Sequence, residues 1–173
     1  MYLKVIGSFC LLSSAAAIGF MKAEELNCRV KRLEEMKRMM LLLQGELRVH
    51  RAVLAEAFAN VSERVEKPFS VFLSVLSEKL ELRENGRFEQ VFQEESKKLL
   101  QEEGFLKEDI HLFELLQNGL GYLDLTMQTE TLNLAILQTE EAVREAKGQL
   151  EIKGKIYRTM GVTVGALLTL MII

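Results

Sequence analysis

The chain has 173 residues, 49% hydrophobic and 27% charged, with one proline, 11 glycines, no tryptophan and a net charge of −3. That length allows one modest domain, and so few turn residues in a Leu/Glu/Lys/Arg-rich chain exclude an all-β fold. The apolar fraction excludes a disordered chain, and the slight acidity leaves no electrostatic footprint for nucleic acid.

Charge is unevenly spread, because residues 5–21 and 159–173 contain none. Val5 to Met21 is 17 uncharged residues, which as helix spans about 25 Å. With Lys4 and Lys22 snorkelling at its ends, it reads as an N-terminal transmembrane helix over residues 1–21. Lys4, the apolar run and Ala15-Ala16-Ala17 also fit a cleavable signal peptide. That alternative would make the chain an exported helical scaffold with a C-terminal anchor. A lipoprotein signal is excluded, since Phe9 precedes Cys10.

From residue 22 to residue 158 the sequence reads as a charged helical bundle. Leu26, Val30, Leu33, Met36, Met40, Leu43 and Leu47 recur at three- and four-residue steps and continue to Leu54. Such spacing makes one long amphipathic helix with a seam for antiparallel packing. Asn60 and Ser62 interrupt it. Met36, Met39 and Met40 could offer an adaptable partner surface, but core packing between long helices is the better reading. Pro68 suits the first turn of a helix running from Phe69 to about Leu82. Asn85-Gly86 marks a turn, Phe88 to Gln101 the next helix, Gly104 a break, and Lys107 to Asn118 another helix. Gly119 and Gly121 end that one, and Asp124 is placed to cap a last long helix. Its seam runs through Leu125, Thr129, Leu132, Ile136, Thr139, Val143, Ala146 and Leu150.

Thr159 to Ile173 is the second uncharged stretch, read as a C-terminal transmembrane helix. Six basic residues between Lys22 and Arg38 follow the first stretch, and five between Arg144 and Arg158 precede the second. The positive-inside rule then places the 22–158 bundle in the cytoplasm and both termini outside. Ala15 and Gly19 in one stretch, and Gly161 and Gly165 in the other, are small residues four apart that let helix backbones approach. The expected fold is therefore all-α: an antiparallel bundle of about six helices between two transmembrane helices.

Catalytic chemistry is not visible in the sequence. Glu46 and His50 lie four apart on one helical face and could share a metal. A di-iron bundle, however, needs two Glu-x-x-His elements, and none is expected in this chain. Gly154-Lys155 has no phosphate-loop spacing, and Cys10 with Cys28 makes no zinc or disulfide framework. No enzyme activity, cofactor, metal or small-molecule substrate is expected. The run from Glu108 to Val143 holds seven acidic residues and no Lys or Arg. It is either a solvated face or a docking surface for a basic partner.

Several ordered elements together resemble the stage III sporulation protein AB family. They are Leu3-Lys4, Gly7 and Gly19-Phe20; Glu46-Leu47 and Leu54-x-Glu56-Ala57; Lys67-Pro68-Phe69-Ser70 with Phe72; and Glu94-Glu95-Ser96. The most specific stretch is Leu120-Gly121-x-x-Asp124-x-x-x-Gln128, and Gly161-x-x-x-Gly165-x-Leu167-Leu168 closes the likeness. The family's Tyr-Gly pair after Glu46-Leu47 and its proline before Leu54 are replaced by Val49-His50 and Val53. The resemblance implies a membrane component of the channel or secretion-like complex linking mother cell and forespore in endospore formation. It would sit in the outer forespore membrane on the mother-cell side. Its cytoplasmic region would be similar to a domain of the type II secretion inner-membrane platform protein. The implied partners are the cytoplasmic sporulation ATPase of the same operon and other channel subunits. Glu46, Leu54, Glu56, Ala57, Gly121, Asp124 and Gln128 form the implied partner interface.

Overall fold

A computed structural model describes residues 2–50, 53–82, 88–102, 105–121 and 124–172. The expected breaks at Asn85-Gly86 and Gly104 lie outside the described residues, as do the side chains of Cys10 and His50. Six α-helices and no strand occur among the described residues. They are α1 (Tyr2–Gly45), α2 (Leu54–Ser62), α3 (Phe69–Glu81), α4 (Phe88–Glu102), α5 (Lys107–Leu120) and α6 (Leu125–Ile172). A π-helical turn, Glu46–His50, follows α1 directly.

The boundaries of α3, α4 and α5 fall close to those expected, because Pro68, the 83–87 polar stretch and the glycines punctuate the sequence there. Pro68 stands just ahead of α3 rather than in its first turn. The expected single helix from Leu26 through Leu54 is corrected. α1 stops at Gly45, the chain widens into the π turn, and Val53 is extended (φ −66°, ψ 148°) before α2 begins. Glycine is a weak helix former, so the helix yields at Gly45 without a proline. Asn60 does not interrupt α2 but lies inside it, and Ser62 is its last residue. Gly119 likewise lies within α5, while Gly121, with φ −71°, follows it in ordinary right-handed geometry. Asp124 does cap α6: its Oδ2 accepts the Met127 N–H at 3.1 Å.

By packing, the chain divides into two units, residues 1–32 with 143–173, and residues 33–142. Both α1 and α6 contribute to each. In the 33–142 unit, Leu33, Met36, Met39, Met40 and Leu43 of α1 are buried, as are Leu132, Ala135, Ile136 and Thr139 of α6. The three methionines are thus core. Thr139 Oγ1 donates to the Ala135 carbonyl at 2.7 Å and lies 3.5 Å from the Met40 sulfur. The shorter helices are joined by a chain of phenylalanine rings with neighbouring centroids 5.4–6.3 Å apart. It runs Phe58, Phe88, Phe92, Phe72, Phe113, Phe105 and Phe69. Edge-to-face packing dominates, the geometry that ring quadrupoles favour.

The other unit is an antiparallel pair formed by the first part of α1 and the last part of α6. Arg29 donates to Gln149 at 3.5 Å across it. Among the described residues no helix is long and apolar enough to cross a membrane. The two expected spans therefore gain no support from helix length and hydropathy there. The uncharged stretches are only 17 and 15 residues long, and Ser, Gly and Thr dilute them. The side chains of residues 5, 6 and 8–12, of 168 and of 171–173 lie outside the described ones.

Candidate functional site

The residues expected to form a partner interface occupy two junctions. The first is the corner between the π turn and α2. Glu46 is buried there, and its two oxygens are claimed from α2 and just beyond: Asn60 donates to Oε2 at 3.3 Å, and Arg64 donates to Oε1 at 3.2 Å. A buried carboxylate without such donors would be costly, so these bonds fix the angle between the turn and α2. Ala57 is buried in the core, Leu54 is half-buried and Glu56 is exposed. Ser77 of α3 donates to the Ala55 carbonyl at 2.8 Å, tying α3 to the same helix.

The second junction joins α5 to α6. Gln128 is buried and donates through Nε2 to the Leu120 carbonyl at 3.2 Å, one of the orphan acceptors at the end of α5. Gly121 lies against α4, where an added Cβ would stand 3.1 Å from Glu89 Oε1. Gln117 donates to the Glu89 carbonyl at 3.2 Å. Gly119 faces Thr131, whose side chain fills the space a Cβ would need. Asp124 is exposed and serves as the α6 cap. Glu46, Ala57 and Gln128 therefore hold the fold together, and Glu56 and Asp124 face solvent.

A groove without any sign in the sequence lies between α3 and α4, of about 290 Å³, lined by Lys67, Pro68, Val71, Phe72, Glu95 and Leu99 among others. Glu95 is buried there and accepts from Lys79 at 2.9 Å and Lys98 at 2.7 Å. Burial raises its pKa, but hydrogen bonds from the two ammonium groups outweigh that and hold the carboxyl below its ordinary value. In sequence it stands only within Glu94-Glu95-Ser96, part of the family likeness, with no sign of its pairing. Its pairing partners are 16 and 3 residues away, and the longer separation gives no local signal.

In the antiparallel pair, Gly19 and Gly161 bring the backbones together. A Cβ on Gly161 would stand 2.9 Å from the Ala15 carbonyl oxygen and 3.5 Å from the Ala16 Cα. Ala15 is half-buried and Gly165 buried. The outward surface is apolar, with Ile18, Phe20, Met21, Met160, Leu167 and Leu170 all exposed.

No group of three His, Cys, Asp or Glu side chains suited to a metal occurs among the described residues. Glu46 is committed to Asn60 and Arg64 rather than to a metal shared with His50. The expectation of no Glu-x-x-His element is corrected, since Glu108 to His111 on α5 is one. Its imidazole Nδ1 is turned back onto the Glu108 carbonyl oxygen at 2.5 Å.

No curated protein matches the chain. A solved structure titled "Stage III sporulation protein AB (SpoIIIAB)" is similar in fold, with a TM-score of 0.64 at 17% identity. The match covers 71% of this chain and 96% of that one. The family described as stage III sporulation protein AB matches residues 4–173. With nearly the whole sequence matched and an all-helical fold shared with that structure, the chain belongs to the stage III sporulation protein AB family.

Proposed function

We propose that this protein is a non-enzymatic, membrane-associated part of the apparatus between mother cell and forespore, and that its helical bundle docks a cytoplasmic ATPase. Family membership supports the sporulation role. The observation that carries the membrane part is the exposure of large apolar side chains along both helices of the 1–32/143–173 unit, around a glycine-mediated contact. In water such a surface is an aggregation liability; in lipid it is the ordinary surface of a helix pair, and small residues then supply the packing. Lys22 and Arg29 on α1, and Lys155 and Arg158 on α6, flank it as cytoplasmic anchors would.

The mechanism is mechanical. α1 and α6 are each more than 40 residues long. Motion imposed on the bundle by an ATPase would be passed on to the membrane assembly, without a chemical step in this chain. The bundle would lie on the mother-cell side of the outer forespore membrane, beside other channel subunits.

The test is co-purification. The full chain in detergent and in lipid nanodiscs should retain the sporulation ATPase of the same operon, and should sediment with membranes after a carbonate wash. Absence of ATPase retention in both settings would overturn the docking reading.

A further inference from the structure

α6 has a second seam, on its outward side. Met127, Glu130, Leu134 and Leu137 follow one another at steps of three, four and three, which puts them on one helical face. All four are exposed, with Met127 at 49%, Leu134 at 47% and Leu137 at 57%. α1 widens this face. Lys37 Nζ lies 3.3 Å from Glu140, so one turn further along α1 places Leu41 beside Leu137, and Leu41 is itself 46% exposed. Spacing of this kind with branched apolar residues is what a helix presents to another helix, yet none of these side chains is covered.

The charges around the stripe point to its occupant. No Lys or Arg occurs from residue 108 to residue 143, where seven acids stand, Glu130 among them within the seam. The nearest cations on α1 are already paired, Lys37 with Glu140 and Arg38 with Glu35 at 3.5 Å. A second copy laid on the same stripe would oppose acid to acid, and an anionic membrane surface would be repelled. We propose that the Leu41/Met127/Leu134/Leu137 stripe docks a basic amphipathic helix of a partner protein. Apolar residues of that helix would fill the stripe, and its Lys or Arg side chains would meet Glu130 and the acidic rim. This deepens the docking reading above by naming a surface and a partner chemistry, and rests on it for the partner's role.

The probe is a pair of fluorescent synthetic amphipathic helices of the same length (~18 residues, about five turns), one of Leu and Lys, the other of Leu and Glu. Anisotropy is read against the full chain in an uncharged detergent, with empty micelles subtracted. The Lys peptide should bind at least tenfold more tightly than the Glu peptide. The double variant Leu134→Ser/Leu137→Ser should lose that binding while keeping the wild-type circular dichroism spectrum. Glu130→Lys should weaken the Lys peptide several-fold and strengthen the Glu peptide. Equal binding by wild type and both variants overturns the proposal. So does a fall in the mass of the chain alone, by light scattering, in Leu134→Ser/Leu137→Ser, which would make the stripe a contact between copies. Loss of ATPase retention with peptide preference intact would sink the platform reading and leave the stripe standing.

Discussion

Gly19 and Gly161 face each other reciprocally: a Cβ built on either would stand 3.2 Å from the Cα of the other. On Gly19 that Cβ would also meet the Tyr157 carbonyl oxygen at 2.5 Å, a backbone atom that cannot swing aside. Gly148, in contrast, has nothing within 4 Å of the same position. One substitution should therefore act with opposite signs. Gly19→Ala and Gly161→Ala should each destabilise the helix pair by about 1–3 kcal/mol through overpacking. Gly148→Ala should stabilise α6 by about 0.5–1 kcal/mol through helix propensity. Thermal melts in detergent, followed by circular dichroism, separate the two cases.

The buried Glu46 makes a prediction about asymmetry. Glu46→Ala removes the acceptor that Asn60 and Arg64 share and should cost about 1–3 kcal/mol. Arg64→Ala should cost less than about 1 kcal/mol, because the Arg64 side chain is half exposed and its pair is screened. Urea midpoints of the two variants test the order. Equal losses would show that the corner does not depend on the carboxylate.

The phenylalanine chain predicts where truncation hurts. Phe92 is fully buried, meets Phe72 edge-to-face and lies tilted against Phe88. Phe92→Ala should cost about 3–5 kcal/mol. Phe20→Ala, at an exposed site, should change the midpoint little in detergent.

Glu95 gives the bundle a signed pH dependence. Its carboxyl titrates below the ordinary value, because hydrogen bonds from Lys98 and Lys79 outweigh the effect of burial. The charged form is therefore favoured by folding. Its contribution is fully present above the unfolded carboxylate value, about 4.3, and is lost as the pH falls through the lower folded value. Urea midpoints measured across that acid window should fall for wild type. The decline should be shallower in the double variant Lys79→Met/Lys98→Met.

Much of this was legible in the sequence, for physical reasons that can be named. Pro68, Gly121 and Asp124 punctuate α3, α5 and α6, and the heptad seam through Leu33, Met36, Met40 and Leu43 marks the buried face of α1. The corner after Gly45 was not legible, because no proline stands there and the apolar spacing continues unbroken to Leu54. The seven-ring phenylalanine chain joins residues as distant as Phe58 and Phe113, beyond the reach of any periodicity. Glu46 and Gln128 carried the family likeness but turned out to be buried, with partners at Arg64 and Leu120 that only the folded chain brings near. The outward stripe of α6 was half visible, as an acid-only run. Which of its leucines remain uncovered depends on how α6 packs against α1.

Cysteine accessibility in intact non-sporulating cells that express the chain in their plasma membrane tests the central claim, that an apolar helix pair holds the bundle to a membrane with both termini on the far side. With Cys10 and Cys28 replaced by serine, single cysteines are placed at Tyr2, Glu130 and Ile173. A membrane-impermeant maleimide should label the Tyr2 and Ile173 positions from outside, and the Glu130 position only after permeabilisation. Labelling of the Glu130 position in intact cells, or loss of the Tyr2 position from the mature protein, would contradict the account.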